Sequence, residues 1–100
     1  MPGWRNLPAG RLVGRRTGLK IMYFVYAIKS ENRNYIYVGL TNNLERRLAE
    51  HNGGMNKTTK PYRPFSLIYS EQFETRVEAR EKEKFFKGGS GKEFLKNLAI

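Results

Sequence analysis

The stretch that decides the fold is MYFVYAIKSENRNYIYVG, residues 22–39 of a 100-residue chain. Its first part, residues 22–29, is aromatic and β-branched on both alternating faces, which is typical of a strand covered on both sides. A polar turn separates this segment from a second β-forming segment, residues 35–39. Two such segments joined by a short turn predict an antiparallel hairpin, in which Tyr26 and Tyr37 lie near each other.

A first helix is predicted directly after the hairpin. Thr41 can act as its N-cap, the helix is expected over residues 42–51, and Gly53-Gly54 ends it. His51 falls on the apolar face of this helix, and Arg47 lies one turn earlier on the flank of that face. The helix would therefore bring an arginine and a histidine close together.

One strand and two helices complete the predicted fold. Residues 65–69 predict a third strand, and a capping-box pattern at Thr75 opens a second helix that ends near Lys87. The capping-box pattern recurs at residues 90–93 and opens a short third helix. We therefore expect an α+β domain, with a small three-stranded antiparallel sheet flanked by about three helices.

The composition indicates one compact domain with a polyanionic partner. With 39% hydrophobic residues, a chain of 100 residues can build one modest core. Nineteen lysines and arginines against nine acids give a net charge of +10, which attracts polyanions. Basic surfaces also serve anionic membranes and acidic proteins, but no apolar stretch is long enough to span a membrane. We expect DNA as the partner, with RNA as an alternative, and no membrane.

The first 21 residues differ from the rest of the chain. They contain five basic residues, no acid, and prolines and glycines that break any periodicity, as in a disordered basic arm. This arm could bind nucleic acid or direct the protein to an organelle, or it could be an upstream stretch with Met22 as the real initiator. Residues 22–100, which we expect to form the domain, hold 14 basic and nine acidic residues, a charge of +5. We expect a cytoplasmic protein of bacterial type.

The inventory of reactive side chains is narrow. All nine acids are glutamates, the chain has one histidine, and it has no cysteine. The lack of cysteine removes disulfides, zinc–thiolate sites and thiol nucleophiles. The lack of aspartate disfavours aspartate-rich two-metal sites, and a single histidine rules out paired-histidine ribonuclease chemistry. A hydrolytic site would have to use tyrosine, arginine, one histidine and glutamate.

The hairpin motifs resemble the GIY-YIG nuclease family, and specifically small members similar to the amino-terminal module of the excision-repair incision subunit. The family's first signature tyrosine corresponds to Tyr26, and its second signature triplet appears as Tyr37-Val38-Gly39. The glycine and isoleucine of the first triplet are replaced by Phe24 and Val25. The resemblance implies that Gly39 is a structural part of the motif.

The resemblance continues through the predicted helices and covers residues 22–98. Arg47 corresponds to the family's helix arginine, His51 stands where many members carry histidine, and Glu83 matches the metal-binding glutamate. The resemblance implies a nuclease that acts on nucleic acid with a divalent metal, Mg²⁺ or Mn²⁺. Glu83 also shares a helix face with core-directed residues, an unusual place for a carboxylate. The ordinary alternative is a surface acid paired with Lys87, four residues on.

Phosphodiester hydrolysis needs a metal ligand, a phosphate ligand and a general base, and these residues offer one candidate for each role. Glu83 would hold the metal, and Arg47 would bind the scissile phosphate. Tyr26 is the candidate general base, and Tyr37 would orient the water or the phosphate. An unperturbed tyrosine pKa of about 10 leaves roughly one molecule in a thousand ionised at neutral pH, so Tyr26 needs a lowered pKa or a proton relay. His51 could position Tyr37 or the phosphate, or cap its helix.

Two functions remain open at this level. The first is a metal-dependent DNA endonuclease in repair or DNA processing, and the second is a catalytically silent nucleic-acid-binding module of the same fold. The complete set of polar residues favours the enzyme. No second domain that could recognise a particular DNA sequence is evident. We therefore expect structure-selective or weakly specific cutting, or a partner that confers targeting. The basic residues expected to contact nucleic acid are Arg46, Lys60, Arg63 and Lys87.

Overall fold

The computed structural model describes residues 21–99. The elements follow one another as β1 (Tyr23–Ser30), β2 (Ile36–Thr41), α1 (Leu44–Asn52), a 3-10 turn (Lys60–Tyr62), β3 (Phe65–Phe73), α2 (Arg76–Lys87) and α3 (Gly89–Ala99). The predicted α+β class, with three strands and three helices, is confirmed. None of these helices is long and apolar enough to cross a bilayer. The predicted arm, residues 1–21, lies outside the described residues except for Ile21.

The three strands form one antiparallel sheet in the order β2-β1-β3. β1 is the central strand, and four successive residues in it are buried, as expected for a strand covered on both sides. β1 and β2 form the predicted hairpin, and the register places Tyr26 opposite Gly39 on β2 and Ser70 on β3. The side-chain oxygen of Ser30 stabilises the turn, because it accepts hydrogen bonds from the backbone N–H groups of Asn32 and Arg33.

The two faces of the sheet carry separate apolar cores, because successive side chains of a strand point to opposite faces. The first core, covered by α2 and α3, consists of Val25, Ala27, Val38, Ala79, Phe86 and Leu95. The second core, covered by α1, consists of Tyr26, Ile28, Leu44 and Phe65. Tyr26 therefore faces α1, and α2 lies on the other side of the sheet.

The start of α1 differs from the prediction. Its N-cap is Asn43, whose side-chain oxygen accepts a hydrogen bond of 3.0 Å from the backbone N–H of Arg46. Thr41 is instead the last residue of β2, where its buried hydroxyl accepts a hydrogen bond of 3.1 Å from the backbone N–H of Asn43. Because β2 continues two residues beyond the predicted end, the helix begins at Leu44.

The remaining elements keep their predicted types with shifted boundaries. Thr75 caps α2 by accepting a hydrogen bond of 3.2 Å from the backbone N–H of Glu78, and the helix ends at Lys87 as predicted. β3 extends to Phe73 because it pairs with β1 along the whole central strand. α3 begins at Gly89 rather than after a cap at Ser90, since the chain passes from α2 into α3 through the extended residue Gly88.

Candidate active site

Tyr26 begins a buried chain of hydrogen bonds on the α1 face of the sheet. Its hydroxyl lies 2.8 Å from Nε2 of His51, and Nδ1 of His51 lies 2.9 Å from Oγ1 of Thr59. Tyr26 is 1% exposed, and His51 and Thr59 are fully buried. Each polar atom in the chain has a partner, as buried polar groups require. The chain joins the central strand, the last turn of α1 and the loop that follows it.

The donor and acceptor roles along this chain follow from its far end. The hydroxyl of Thr59 donates to the carbonyl oxygen of Asn56 at 3.5 Å, so its lone pairs are free to accept the Nδ1–H of His51. On this basis we assign the proton of His51 to Nδ1, so that Nε2 is the acceptor and Tyr26 donates to it. Burial lowers the pKa of His51 below its ordinary value of 6.5, and Arg47 lowers it further, so the imidazole is neutral at pH 7. Tyr26 therefore faces an unprotonated imidazole nitrogen.

The ionisation of Tyr26 is governed by its burial, which raises its pKa to about 12. The side chain of Arg47 opposes this effect by a hydrogen bond, while the neighbouring Tyr37 and Glu83 raise the pKa further. Tyr26 is consequently protonated at neutral pH in the free protein. Of the two routes open to a tyrosine base, a lowered pKa or a proton relay, the surroundings of Tyr26 suit the relay.

Gly39 leaves the space that the ring of Tyr26 occupies. The two residues lie opposite each other in the β1–β2 register. A Cβ atom at position 39 would come within 2.6 Å of Cζ of Tyr26 and closer still to its hydroxyl oxygen. Any side chain at this position would displace the ring of Tyr26, so steric contact explains why the motif has a glycine at position 39.

Tyr37 and Arg47 flank the pair formed by Tyr26 and His51. The ring centroid of Tyr37 is 6.4 Å from that of Tyr26 and 5.0 Å from that of His51. Arg47 donates to Glu50 at 2.9 Å, and its side chain is 34% exposed. Since Arg47 also interacts with the hydroxyl of Tyr26, its guanidinium connects the buried chain with solvent.

Glu50 forms an ion pair with one of the two neighbouring arginines of α1. Arg46, four residues earlier on the same helix, has the usual spacing for such a pair. Within residues 21–99 the pair is made by Arg47 instead, and Arg46 is an exposed side chain. Arg47, which interacts with Tyr26, is therefore also paired with the carboxylate of Glu50.

Glu83 stands apart from the Tyr26 chain. It belongs to α2, whose residues Ala79 and Phe86 pack on the face of the sheet opposite Tyr26. Its carboxylate lies 3.3 Å from Nζ of Lys87 and 4.0 Å from Nε of Arg80. The surface ion pair that the sequence offered as the ordinary alternative is therefore present. Glu83 still contributes to the pKa of Tyr26, as the smallest of five effects, so the two groups interact electrostatically.

Among the predicted site residues, Glu83 alone offers a carboxylate to a hard cation. No cluster of three or more His, Cys, Asp or Glu side chains suited to a metal occurs in the described part of the chain. Mg²⁺ does not require one, because it keeps several waters and is often held by one or two carboxylates. The Glu83 side chain is 15% exposed, and its partners Arg80 and Lys87 are more than half exposed and can turn into solvent. This arrangement fits a cation bound through a single carboxylate.

The four basic residues predicted to contact nucleic acid are all exposed, but they do not share one surface. Arg46 lies on α1, and Lys60 and Arg63 lie in and just after the 3-10 turn that follows it. Lys87 lies at the end of α2, which packs on the opposite face of the sheet.

Thr59 is the polar residue of the site that sequence reasoning missed. It stands in a polar loop beside Thr58, and a single sequence contains no signal that separates the two. Only the fold distinguishes them, because Thr59 is buried against His51 and Thr58 is exposed. A buried hydroxyl that contacts a histidine eight residues earlier cannot be read from periodicity.

Comparison with known proteins adds the family relationship. Residues 22–97 match the family model described as the GIY-YIG catalytic domain. The UPF0213 protein SH2523 of Staphylococcus haemolyticus is 40% identical over 77 residues, which cover 76% of this chain and 93% of the relative. The UPF0213 protein lwe0147 of Listeria welshimeri is 46% identical over 66 residues, which cover 65% and 72% of the two chains.

A solved structure is also similar to this chain. The solution NMR structure of the UPF0213 protein BH0048 from Bacillus halodurans has 28% sequence identity and a TM-score of 0.48, covering 78% of this chain and 85% of that chain. The match to the family model runs from the residue before β1 into the last turns of α3, so it includes every described strand. The chain therefore belongs to the GIY-YIG family, whose domain is of nuclease type, and is related within it to the UPF0213 proteins.

Proposed function

We propose that this protein is a divalent-metal-dependent endonuclease that hydrolyses phosphodiester bonds in DNA. The observation that carries the proposal is the buried chain from Tyr26 through His51 to Thr59. A buried tyrosine hydroxyl needs a hydrogen-bond partner in any fold, but here that partner is an unprotonated imidazole nitrogen, which can also accept the proton. A proton-transfer site needs that arrangement, because the base must be held in place and in the correct protonation state.

Tyr26 is the proposed general base, and His51 is its proton acceptor. As the attacking water gives a proton to the oxygen of Tyr26, the proton of Tyr26 passes to Nε2 of His51. His51 becomes an imidazolium whose Nδ1–H remains hydrogen-bonded to Thr59. This relay avoids a free tyrosinate, which a pKa of about 12 makes rare at neutral pH.

Arg47 is the proposed phosphate ligand and also controls access to Tyr26. The hydroxyl of Tyr26 is buried, and Arg47 is the partly exposed group that interacts with it. A phosphate diester that draws the guanidinium away from Glu50 would uncover the hydroxyl and neutralise charge on the phosphate oxygens. Tyr37, whose ring lies beside His51, would position the water or the phosphate.

Glu83 is the proposed ligand of a Mg²⁺ or Mn²⁺ ion. The ion would supply Lewis-acid stabilisation of the phosphate and the leaving oxygen. What supports Glu83 is its match to the family's glutamate, its limited exposure and its electrostatic interaction with Tyr26. Binding the ion requires Lys87 and Arg80 to release the carboxylate.

That same ion pairing favours the second candidate function, a catalytically silent module that binds nucleic acid. If Lys87 and Arg80 keep the carboxylate neutralised, no metal binds and no bond is cut. The basic charge and the fold would then serve binding alone. The two candidates differ in whether Glu83 accepts a cation.

A cleavage assay with matched variants tests the proposal. The full chain is incubated with supercoiled plasmid and with branched and single-stranded DNA, in Mg²⁺ or Mn²⁺ and in chelator. Tyr26→Phe should lower the cleavage rate roughly 10²- to 10⁴-fold, and Glu83→Gln should remove its metal dependence together with most of its rate. Tyr23→Phe and Glu78→Gln, in the same strand and the same helix, are the controls and should cut normally. If the wild type cuts none of these substrates, or if Glu83→Gln cuts equally well, the proposed mechanism is wrong.

We also propose a cellular setting and a domain division for this activity. The reaction would serve DNA repair or DNA processing in a bacterial cytoplasm, in keeping with the bacterial relatives. Residues 22–100 would form the nuclease domain, and residues 1–21 would be a basic arm that adds affinity for nucleic acid. RNA is the alternative substrate, and running the same assay on RNA decides between the two.

A further inference from the structure

A groove runs between the edge strand β2 and the helices α2 and α3. It has a volume of about 530 Å³, and its apolar lining includes Val38 and Phe86 of the first core. Three lysines line it from the helices, Lys87, Lys92 and Lys96. Tyr37 lines it from β2, and Tyr35 lines it from the residue just before that strand. We call this surface the lysine groove.

The charge in the lysine groove is of one sign. Three of its lining residues are lysines, and none is an acid. Lys87 has a partner in Glu83, whereas Lys92 and Lys96 form no ion pair within residues 21–99. Like charges gathered on facing helices repel one another, and a bound polyanion would relieve that repulsion.

The spacing of the lysines suits a nucleic-acid strand. Lys92 and Lys96 are four residues apart on α3, so their attachment points are about 6 Å apart along the helix axis. Each strand of duplex DNA carries one charge for roughly every 3.4 Å of axis. The two lysines can therefore neutralise phosphates one or two nucleotides apart on the same strand.

The groove leads to the candidate active site. Tyr37 lines the groove, and its ring is also 5.0 Å from the imidazole of His51. On the helix side, Glu83 lies one turn of α2 before Lys87, which lines the groove. A strand held in the groove would reach both halves of the site.

We propose that the lysine groove binds the sugar–phosphate backbone of the substrate next to the bond that is cut, with Lys92 and Lys96 on neighbouring phosphates. This inference rests on the proposed nuclease function and adds to it a substrate-anchoring surface outside the reacting groups. Lys92 and Lys96 act there through affinity rather than chemistry. Arg46, Lys60 and Arg63 lie outside this groove.

The test is a binding measurement on a chain that cannot cut. Full-length protein carrying Tyr26→Phe is titrated into fluorescein-labelled DNA, single-stranded and annealed, over a range of salt concentrations. The pair Lys92→Gln/Lys96→Gln is compared with Lys57→Gln/Lys84→Gln, which removes two exposed lysines outside the groove. All four side chains are exposed, so the fold should survive, and melting curves verify this.

Removing two phosphate contacts should lower the slope of log Kd against log salt by about 1.4 for single strands and about 1.8 for duplex. At 0.1 M salt this corresponds to roughly 25- to 60-fold weaker binding, and the difference should vanish toward 1 M salt. The control pair should change the slope far less. Equal slopes in the two pairs would overturn the inference.

The result separates this inference from the proposed function. In a background that retains Tyr26, the groove pair should raise KM and leave kcat unchanged, as expected for uniform binding. If the wild type cuts DNA and the two lysine pairs bind alike, the groove inference fails and the nuclease stands. If the groove pair loses affinity and the wild type never cuts, the nuclease fails, and the groove stands only as a surface that binds the nucleic-acid backbone.

Discussion

At the scale of single residues, Thr59 shows how a side chain outside the reacting set can govern the chemistry. Its hydroxyl lies within hydrogen-bond distance of the carbonyl oxygen of Asn56, and we assign it as donor there and as acceptor from His51. That acceptance fixes the proton of His51 on Nδ1 and leaves Nε2 open toward Tyr26. In the proposed mechanism, Thr59 is thus a positioning residue that acts through the imidazole of His51.

We predict that Thr59→Val destabilises the protein by about 1 to 3 kcal/mol, because a buried N–H of His51 loses its acceptor while the shape of the side chain is kept. Urea unfolding measures this change. Thr58→Val, at the exposed neighbouring position, should fall within about 0.5 kcal/mol of the wild type. Thr59→Ser should restore stability and, in the cleavage assay, the pH profile of the rate. Equal effects at positions 58 and 59 would remove Thr59 from the relay.

His51 should make the stability depend on pH. Burial lowers its pKa in the folded state below the ordinary 6.5, so the unfolded chain takes up a proton first as the pH falls. The stabilising contribution of His51 is therefore complete above about pH 6.5 and is lost as the pH falls toward the lowered value. Melting temperatures between about pH 5 and pH 7.5 measure this loss. The ordinary pKa of a glutamate side chain, about 4.3, lies below this pH range. In His51→Gln the dependence in this window should disappear, and an unchanged slope would contradict the assignment.

Gly39→Ala should destabilise the protein by about 1 to 3 kcal/mol, the usual cost of forcing extra volume into a packed region. The added Cβ would overlap the ring of Tyr26. The control is Gly89→Ala, whose Cβ would meet nothing within 4 Å. Combining Gly39→Ala with Tyr26→Ala should recover part of the loss, because the clashing ring is gone. If the two effects simply add, the clash is not the cause.

At the scale of elements, the sequence predicted the type of every strand and α-helix and the β1–β2 hairpin, but it missed several boundaries. The apolar runs and the Thr75 cap follow from local sequence, and they appear as expected. The pairing of β1 with its neighbours is tertiary, and it extends β2 to Thr41 and β3 to Phe73. Because β2 gains residues through pairing, α1 starts later than its own sequence indicates, whereas α2 still starts at its predicted cap.

The corrected cap of α1 can be tested directly. Asn43→Ala removes the side-chain oxygen that accepts the backbone N–H of Arg46, and it should cost about 1 kcal/mol. Asn42→Ala, at the exposed residue just before it, should cost less than about 0.5 kcal/mol. Thermal or urea unfolding compares the pair. A larger loss at position 42 would restore a different start for the helix.

The residues of the candidate site come from helices on opposite faces of the sheet, and the sequence could not indicate this arrangement. The spacing of Arg47 and His51 on one helix was sufficient to bring them together, and the hairpin brought Tyr26 to Tyr37. Which face of the sheet each helix covers depends on packing between distant segments. That packing puts α1 beside Tyr26 and puts Glu83 on the helix across the sheet.

At the scale of the whole molecule, the sheet lies between the proposed relay of Tyr26 and His51 and the carboxylate of Glu83. Tyr26, His51 and Arg47 lie on the α1 side, while Glu83 and the lysine groove lie on the side of α2 and α3. Tyr37, on the edge strand β2, contacts both sides. A substrate that uses both halves would therefore pass around the β2 edge rather than across the middle of the sheet.

The net charge predicts what the first 21 residues contribute. Deleting residues 1–21 removes five of the nineteen basic residues and lowers the net charge from +10 to +5. All the described helices and strands lie in residues 23–99, so the melting temperature should change little. Affinity for DNA should fall most at low salt, where unscreened charge acts at the longest range. Cleavage at saturating DNA should persist, because the residues proposed for the chemistry remain.

Three measurements on the full and shortened chains check these expectations: melting curves for stability, salt-dependent titrations for affinity, and plasmid cleavage for activity. A shortened chain that fails to fold would show that residues 1–21 belong to the domain, and one that binds DNA equally at low salt would remove the arm from recognition.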